Sequence, residues 1–290
     1  MYGPCGADSG LSNNYNMMYS NSYSNIKSIY DSYKALSRKW LPELTYPKMV
    51  SEKQQNRETQ LLAETLHYDR FFFVINLHDC KIEHVHGVER WLGYPDKDFT
   101  LLKFLQIIHP SHLGAHHLTA TQLITGLMRG DWKVEFMKHR YITTIALQHS
   151  KGHYILFKRL ASVFQYNEKH QLLEYVNEFT WMGEYNEESY KIAATDAQGD
   201  KLPWLDDALQ RIRQAFQNSK SLSFQELRIL RKYAYAPDIS VAEIAQSFKV
   251  MESTVVTHKR RALTKAKEFF FIDFENIRQL ARYLREQGLI

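Results

Sequence analysis

The stretch STVVTHKRRALTKAK, residues Ser253–Lys267, carries five cationic side chains and one histidine among small apolar residues. Val255, Ala262 and Ala266 recur at spacings that place them on one face of a helix. Most of the cations then fall on the other faces. A charged helix face is ordinarily only a solvated surface, so the surrounding sequence has to decide whether this one binds a partner.

The positive charge of the chain is concentrated around this stretch. The segment from Lys220 to Ile290 contains 13 Lys+Arg and 8 Asp+Glu, so it holds the whole formal excess of +5 in a chain of 290 residues. The length favours two domains. The asymmetry predicts that the C-terminal domain meets a polyanion and that the rest of the chain does not.

Two helix start signals precede the basic stretch. Ser223 with Glu226, and Ser240 with Glu243, each place a carboxylate three residues after an N-capping serine. A tight turn at Val250 separates the second helix from the basic one. A short helix, a tight turn and a longer basic helix together predict a helix-turn-helix.

The same segment resembles the LuxR-type helix-turn-helix family. The positions that match the family pattern without a gap are Leu222, Ser223, Glu226, Ser240, Glu243, Ile244, Ala245, Phe248, Val250, Thr254, Val255 and His258. The closing sequence NIRQLARYLREQGLI resembles the family's fourth helix, which often forms a dimer contact. The resemblance implies an all-α tetrahelical domain that binds double-stranded DNA as a homodimer, with RNA polymerase as a partner.

Three departures from the family pattern bear on DNA recognition. Gln225 stands where Arg is usual, Met251 replaces an N-capping Ser, and Val256 replaces a Lys that commonly reads a base. The base preference of the family therefore does not transfer to this chain.

The third helix supplies the predicted DNA-binding residues. A recognition helix presents its N-terminal residues to base edges in the major groove, so we expect Val256, Thr257 and Arg260 at bases, with Thr264 one turn further on. The residues expected at phosphates are Ser253, Thr254, Lys259, Arg261, Lys265 and Lys267. His258 either meets a phosphate or packs half-buried against the domain.

The sequence upstream has a different pattern. FFFVIN and KIEHVHG favour two strands, and three longer runs between residues 133 and 185 favour an antiparallel meander. With the helical segments between them, they predict an α+β domain. VERWLGYPDKDF, FLQIIHPSH and the closing GEY resemble PAS domains, which implies an antiparallel sheet with short helices that senses a signal or mediates dimerisation.

The predicted organisation has five parts. They are a disordered polar head at 1–30, a helical N-terminal segment at 31–67, a PAS-like sensor or dimerisation domain at 68–186, a linker helix at 187–219, and the helix-turn-helix domain at 220–290.

Other classes of function are disfavoured or stay open. The chain has no phosphate-binding glycine loop, nucleophile elbow or HExxH motif, so we expect no enzyme. Twelve of the 13 histidines lie between His67 and His170. A haem or metal sensor is therefore an alternative, but no Cys or carboxylate completes a ligand set, and we expect no cofactor while leaving a PAS ligand open.

Two further classes of protein could also contain the helix-turn-helix. One is a sigma-factor-like protein, and the other is an adaptor that uses the helix-turn-helix for protein contact. The strand-rich domain argues against a sigma factor, which needs an all-helical domain there. No run approaches the ~18 apolar residues of a membrane span, and no signal peptide is present. We therefore expect a cytoplasmic protein without a membrane partner.

Overall fold

The computed structural model describes residues 26–43, 46–65, 69–188, 190–202, 204–218, 222–270, 272, 274–287 and 289–290. The described chain is α+β, with an antiparallel sheet followed by a C-terminal group of helices.

The secondary structure elements follow in chain order. The N-terminal half contains α1 (26–40), α2 (Glu52–Glu64), β1 (Arg70–Asn76), β2 (Lys81–His86), α3 (Val88–Leu92), α4 (Leu101–Ile107) and α5 (Pro110–Arg129). The strands β3 (Arg140–Gln148), β4 (Tyr154–Tyr166), β5 (Leu172–Glu184) and β6 (Ile192–Thr195) come next. The last helices are α6 (Trp204–Asn218), α7 (Phe224–Tyr235), α8 (Val241–Phe248), α9 (Glu252–Phe270) and α10 (Ile277–Glu286).

The sheet has six strands in the order β2-β1-β5-β4-β3-β6, with every neighbouring pair antiparallel. The dense apolar run of β1 is explained by burial on both faces of the sheet. Phe71 and Phe73 belong to the main core under the helices, whereas Phe72 and Val74 pack on the opposite face near Leu62 of α2. A strand covered on both sides needs apolar residues at successive positions.

The structure differs from the sequence prediction at two boundaries. Residues 26–30 of the predicted disordered head are helical, and Ile26 and Ile29 are buried in the main core. The rest of that head, 1–25, lies outside the described residues. Strand β6 falls inside the predicted linker helix, because Ala194 pairs with Tyr141 and extends the sheet beyond residue 186.

Helix α5 joins the sheet to the C-terminal helices. It ends at Gly130, which adopts φ 74° as the helix cap. Its Leu118 belongs to the core of the C-terminal helices. A Cβ added at Gly114 would lie 2.7 Å from Phe270 Cα, so only glycine permits this close approach of α5 to the end of α9.

Candidate nucleic-acid interface

Helices α7 and α8 begin as the sequence predicts. Ser223 accepts from the backbone N–H of Glu226 and Glu226 accepts from the backbone of Ser223; Ser240 and Glu243 form the same reciprocal pair. These bonds satisfy backbone groups that a helix start leaves without partners. The bonds from the Ser240 backbone and side chain hold the pKa of Glu243 below its usual value.

A three-residue turn connects α8 to α9. Lys249 adopts φ 54° and ψ 46°, and its N–H bonds Gln246 O at 3.2 Å. The N–H of Val250 bonds Ala245 O at 3.0 Å. This pair of bonds closes α8 with a left-handed residue and turns the chain directly into α9.

Buried side chains hold α9 against its neighbours. Val255, Ala262, Ala266 and Phe270 are at most 1% exposed. They line one face of the helix, as the spacing predicts, and pack with α7, α8 and α10. The opposite face of α9 is consequently left for solvent or a partner.

The predicted DNA-binding residues divide by exposure. The exposed ones are Ser253, Val256, Thr257, Arg260, Arg261 and Thr264, and the half-buried ones are Thr254, His258, Lys259 and Lys265. The Thr257 hydroxyl donates to Ser253 O at 2.9 Å, and the Thr264 hydroxyl donates to Arg260 O at 3.2 Å. Both hydroxyls thus bond their own helix.

Lys265 has a partner within the domain. Its ammonium lies 2.9 and 3.1 Å from the two carboxylate oxygens of Glu226, whose side chain is 2% exposed. Burial raises the pKa of Glu226, but the Ser223 backbone and Lys265 outweigh it and lower the pKa below its usual value. Lys265 therefore ties α9 to the start of α7, and it is a weaker candidate for phosphate contact than Arg261.

Two other predicted residues lie against the protein. The Lys259 ammonium is 5.4 Å from the centre of the Tyr233 ring, a cation–π contact. His258 is half-buried, and its Nδ1 is buried without a hydrogen bond in the described chain. The half-buried position of His258 fits a packing role, which is one of the two roles that the sequence left open.

An exposed apolar corner, which the sequence patterns did not predict, lies at the start of α9. Val250, Met251 and Val256 are 42%, 72% and 53% exposed. Met251 has no side-chain oxygen with which to cap α9, so the first N–H groups of the helix have no cap from that position. The sequence signal for this corner is that Val250, Met251 and Val256 are apolar but do not follow the spacing of the buried face of α9.

A second basic surface lies on α7. Arg231 and Lys232 are exposed, and the Arg228 guanidinium stacks 4.2 Å from the centre of the Phe248 ring on α8. The spacing of three and four residues places these cations on one helix face. The spacing of these cations is visible in the sequence, although it does not by itself predict a binding site.

The clustered histidines of α5 have packing partners. The His112 Nδ1 accepts from Ala146 N–H at 3.0 Å and its Nε2 donates to Glu188 O at 2.7 Å, which requires the neutral ring. Burial lowers the pKa values of His109 and His117 to about 4. Among the residues described, no group of three or more His, Cys, Asp or Glu side chains is placed to hold a metal ion.

No helix in the described ranges is long and apolar enough to cross a membrane. No protein-family model matches the chain, and no curated protein matches it.

Two solved structures show weak similarity. The phage VqmA–DPO complex is 11% identical with a TM-score of 0.28, over 81% of this chain and 91% of that chain. Escherichia coli SdiA is 17% identical with a TM-score of 0.26, over 83% of this chain and 93% of that chain. Similarities at this level do not establish a shared fold.

Proposed function

We propose that this chain is a sequence-specific regulator of transcription that reads double-stranded DNA with α9. The observation that carries the proposal is the division of α9 into two faces. One face is held by Val255, Ala262 and Ala266 in the helical core, while Arg260 and Val256 stand exposed on the other. A firmly packed helix with an exposed face of this composition fits a major groove.

The exposed residues match the chemistry of base edges. Arg260 can donate two hydrogen bonds to guanine O6 and N7, and the methyl groups of Val256 and Thr257 can contact thymine methyls. Ser253, Thr254 and the N–H groups at the start of α9 suit phosphate oxygens. Arg261 adds charge that strengthens binding without choosing a sequence.

The N-terminal half then acts as a PAS-like sensor or dimerisation domain. Its support is the antiparallel sheet, with the short helices α3 and α4 and the 20-residue helix α5 between the second and third strands. A homodimer would place two copies of α9 at two half-sites. Contact with RNA polymerase belongs to the same proposal.

An adaptor that uses these helices for protein contact is the second candidate. The observation in its favour is the exposed apolar corner of Val250 and Met251 beside Val256, since an exposed apolar patch commonly marks a protein contact.

Selection of bound fragments from genomic DNA, followed by gel shifts on the enriched site, separates the two candidates. The regulator enriches a shared motif, and Arg260→Ala weakens binding to it at least tenfold. Arg57→Ala is the matched control, because Arg57 is exposed on α2, outside the proposed interface, and loses the same charge. An absence of enrichment, or equal effects of the two variants, would support the adaptor instead.

A further inference from the structure

Arg159 is a buried cation without a counter-ion. It lies in the middle of β4, between Thr143 of β3 and Phe179 of β5, and is only 4% exposed. Its Nε donates to Asn177 Oδ1 at 2.8 Å. A guanidinium has five N–H donors, and across the described ranges Arg159 forms no other hydrogen bond and no ion pair with a carboxylate.

The titratable groups around Arg159 do not balance its charge. Burial raises the pKa of Tyr175 to about 12, although the Arg159 charge acts in the opposite direction. Burial also raises the pKa values of Tyr141 and Tyr190. The pKa of His116 is well below its usual value because of burial, with Arg159 lowering it further. At neutral pH these side chains are uncharged, and a buried charge without a partner is strongly unfavourable.

A cavity lies beside this guanidinium, between α5 and the sheet. Its volume is about 70 Å³, with Leu123, Ile124 and Leu127 of α5 on one side and Arg159 on the other. The cavity therefore combines an apolar wall with donors of the Arg159 guanidinium that lack an acceptor among the described residues.

The size of the cavity limits what it can hold. An apolar cavity of about 150 Å³ binds benzene, so about half that volume suits a molecule of only a few non-hydrogen atoms. The unpaired charge of Arg159 favours an anionic ligand, and the apolar wall formed by α5 favours an alkyl group on that ligand. Guanidinium donors match a carboxylate geometrically.

We propose that this cavity binds a small organic monoanion, a carboxylate of about two to four carbons, with its oxygens on the Arg159 guanidinium and its alkyl group against α5. Carboxylate binding is a further activity beyond DNA binding, because none of the residues proposed for it lies on α9.

Trp204 connects the cavity to the C-terminal helices, because the helix that it begins packs against them. It lines the cavity at the start of α6 and stacks on Trp132, with ring centres 5.0 Å apart. Ile212 and Phe216 on the same helix are buried in the core of the C-terminal helices. An effect of the anion on DNA affinity would follow this helix and rests on the proposed function.

The test is calorimetric and thermal-shift titration of the full-length chain with acetate, propionate and isobutyrate. Sodium chloride keeps the ionic strength constant, and propionamide is the neutral control of nearly the same shape. At least one carboxylate is expected to bind saturably and raise the melting temperature, while propionamide does not. Arg159→Met is expected to weaken binding at least tenfold.

A second variant keeps the test decisive if Arg159→Met does not fold. Ala161 also lines the cavity, and Ala161→Leu is expected to fill it and abolish carboxylate binding while leaving Arg159 in place. The proposal is overturned if none of the three carboxylates binds, if propionamide binds equally well, or if a folded variant binds like the wild type. Gel shifts of the wild type are recorded separately, so a failure to bind DNA would leave the carboxylate result intact.

Discussion

Replacing Glu226 by Ala tests how α9 is held in position. The substitution removes the carboxylate that closes the capping box with Ser223 and pairs with Lys265. Loss of the box costs about 1 kcal/mol. Loss of a buried hydrogen bond to a charged group costs about 1.5–3 kcal/mol. Together these losses predict that the domain is destabilised by about 2.5–4 kcal/mol.

Glu243→Ala is the matched control. Glu243 closes the same type of capping box with Ser240, but it is exposed and forms no ion pair among the described residues. Its loss should destabilise the domain less than the loss of Glu226, because only the capping box is removed. The difference between the two variants therefore isolates the buried contact with Lys265.

Native-state hydrogen exchange of the α9 amides measures both effects. Because about 1.4 kcal/mol corresponds to a factor of ten, Glu226→Ala should accelerate exchange roughly 60- to 700-fold, and Glu243→Ala should accelerate it by a clearly smaller factor. A double-mutant cycle with Lys265→Met should recover the coupling between the two side chains. Equal acceleration in the two single variants, or no coupling in the cycle, would refute this account of how α9 is anchored.

Three further outcomes are expected. Gly114→Ala should lower the melting temperature and increase exchange at the end of α9, because its Cβ would meet the Phe270 backbone at 2.7 Å; an unchanged melting curve would contradict that contact. Arg261→Gln should reduce the slope of log affinity against log salt in gel shifts by about one, and an unaltered slope would remove Arg261 from the phosphate contacts. Burial lowers the pKa of His112 below its usual 6.5, so the unfolded state takes up more protons below pH 6.5. The stability that its neutral ring contributes should therefore be present above that pH and decline as the pH falls, and a melting temperature constant from pH 7.5 to 5 would exclude it.

Local signals in the sequence predicted much of the helical part. Ser223 with Glu226 and Ser240 with Glu243 are short-range patterns whose hydrogen bonds form within one turn, so the start of each helix could be read directly. The buried face of α9 was predicted from the spacing of Val255, Ala262 and Ala266. The pairing of Lys265 with Glu226 could not be read in this way, because it joins residues 39 positions apart.

The differences in the N-terminal half have a similar cause. Ile26 and Ile29 lie in a polar composition, and their tertiary contacts with the core extend α1 to residue 26. Strand β6 has only four residues, and its pairing with β3 decides its conformation. The charge of Arg159 was visible in the sequence, but its burial without a counter-ion arises only when β3, β4 and β5 come together.

The most direct test of α9 as a reader of DNA sequence is the specificity ratio in gel shifts, the affinity for the selected site divided by that for a scrambled site. Arg260→Ala should lower this ratio at least tenfold, because a bidentate contact to guanine discriminates by about 1–3 kcal/mol. Arg261→Ala should weaken binding to both DNAs equally and leave the ratio intact. A ratio that Arg260→Ala does not change would contradict the assignment of α9 as the reading helix.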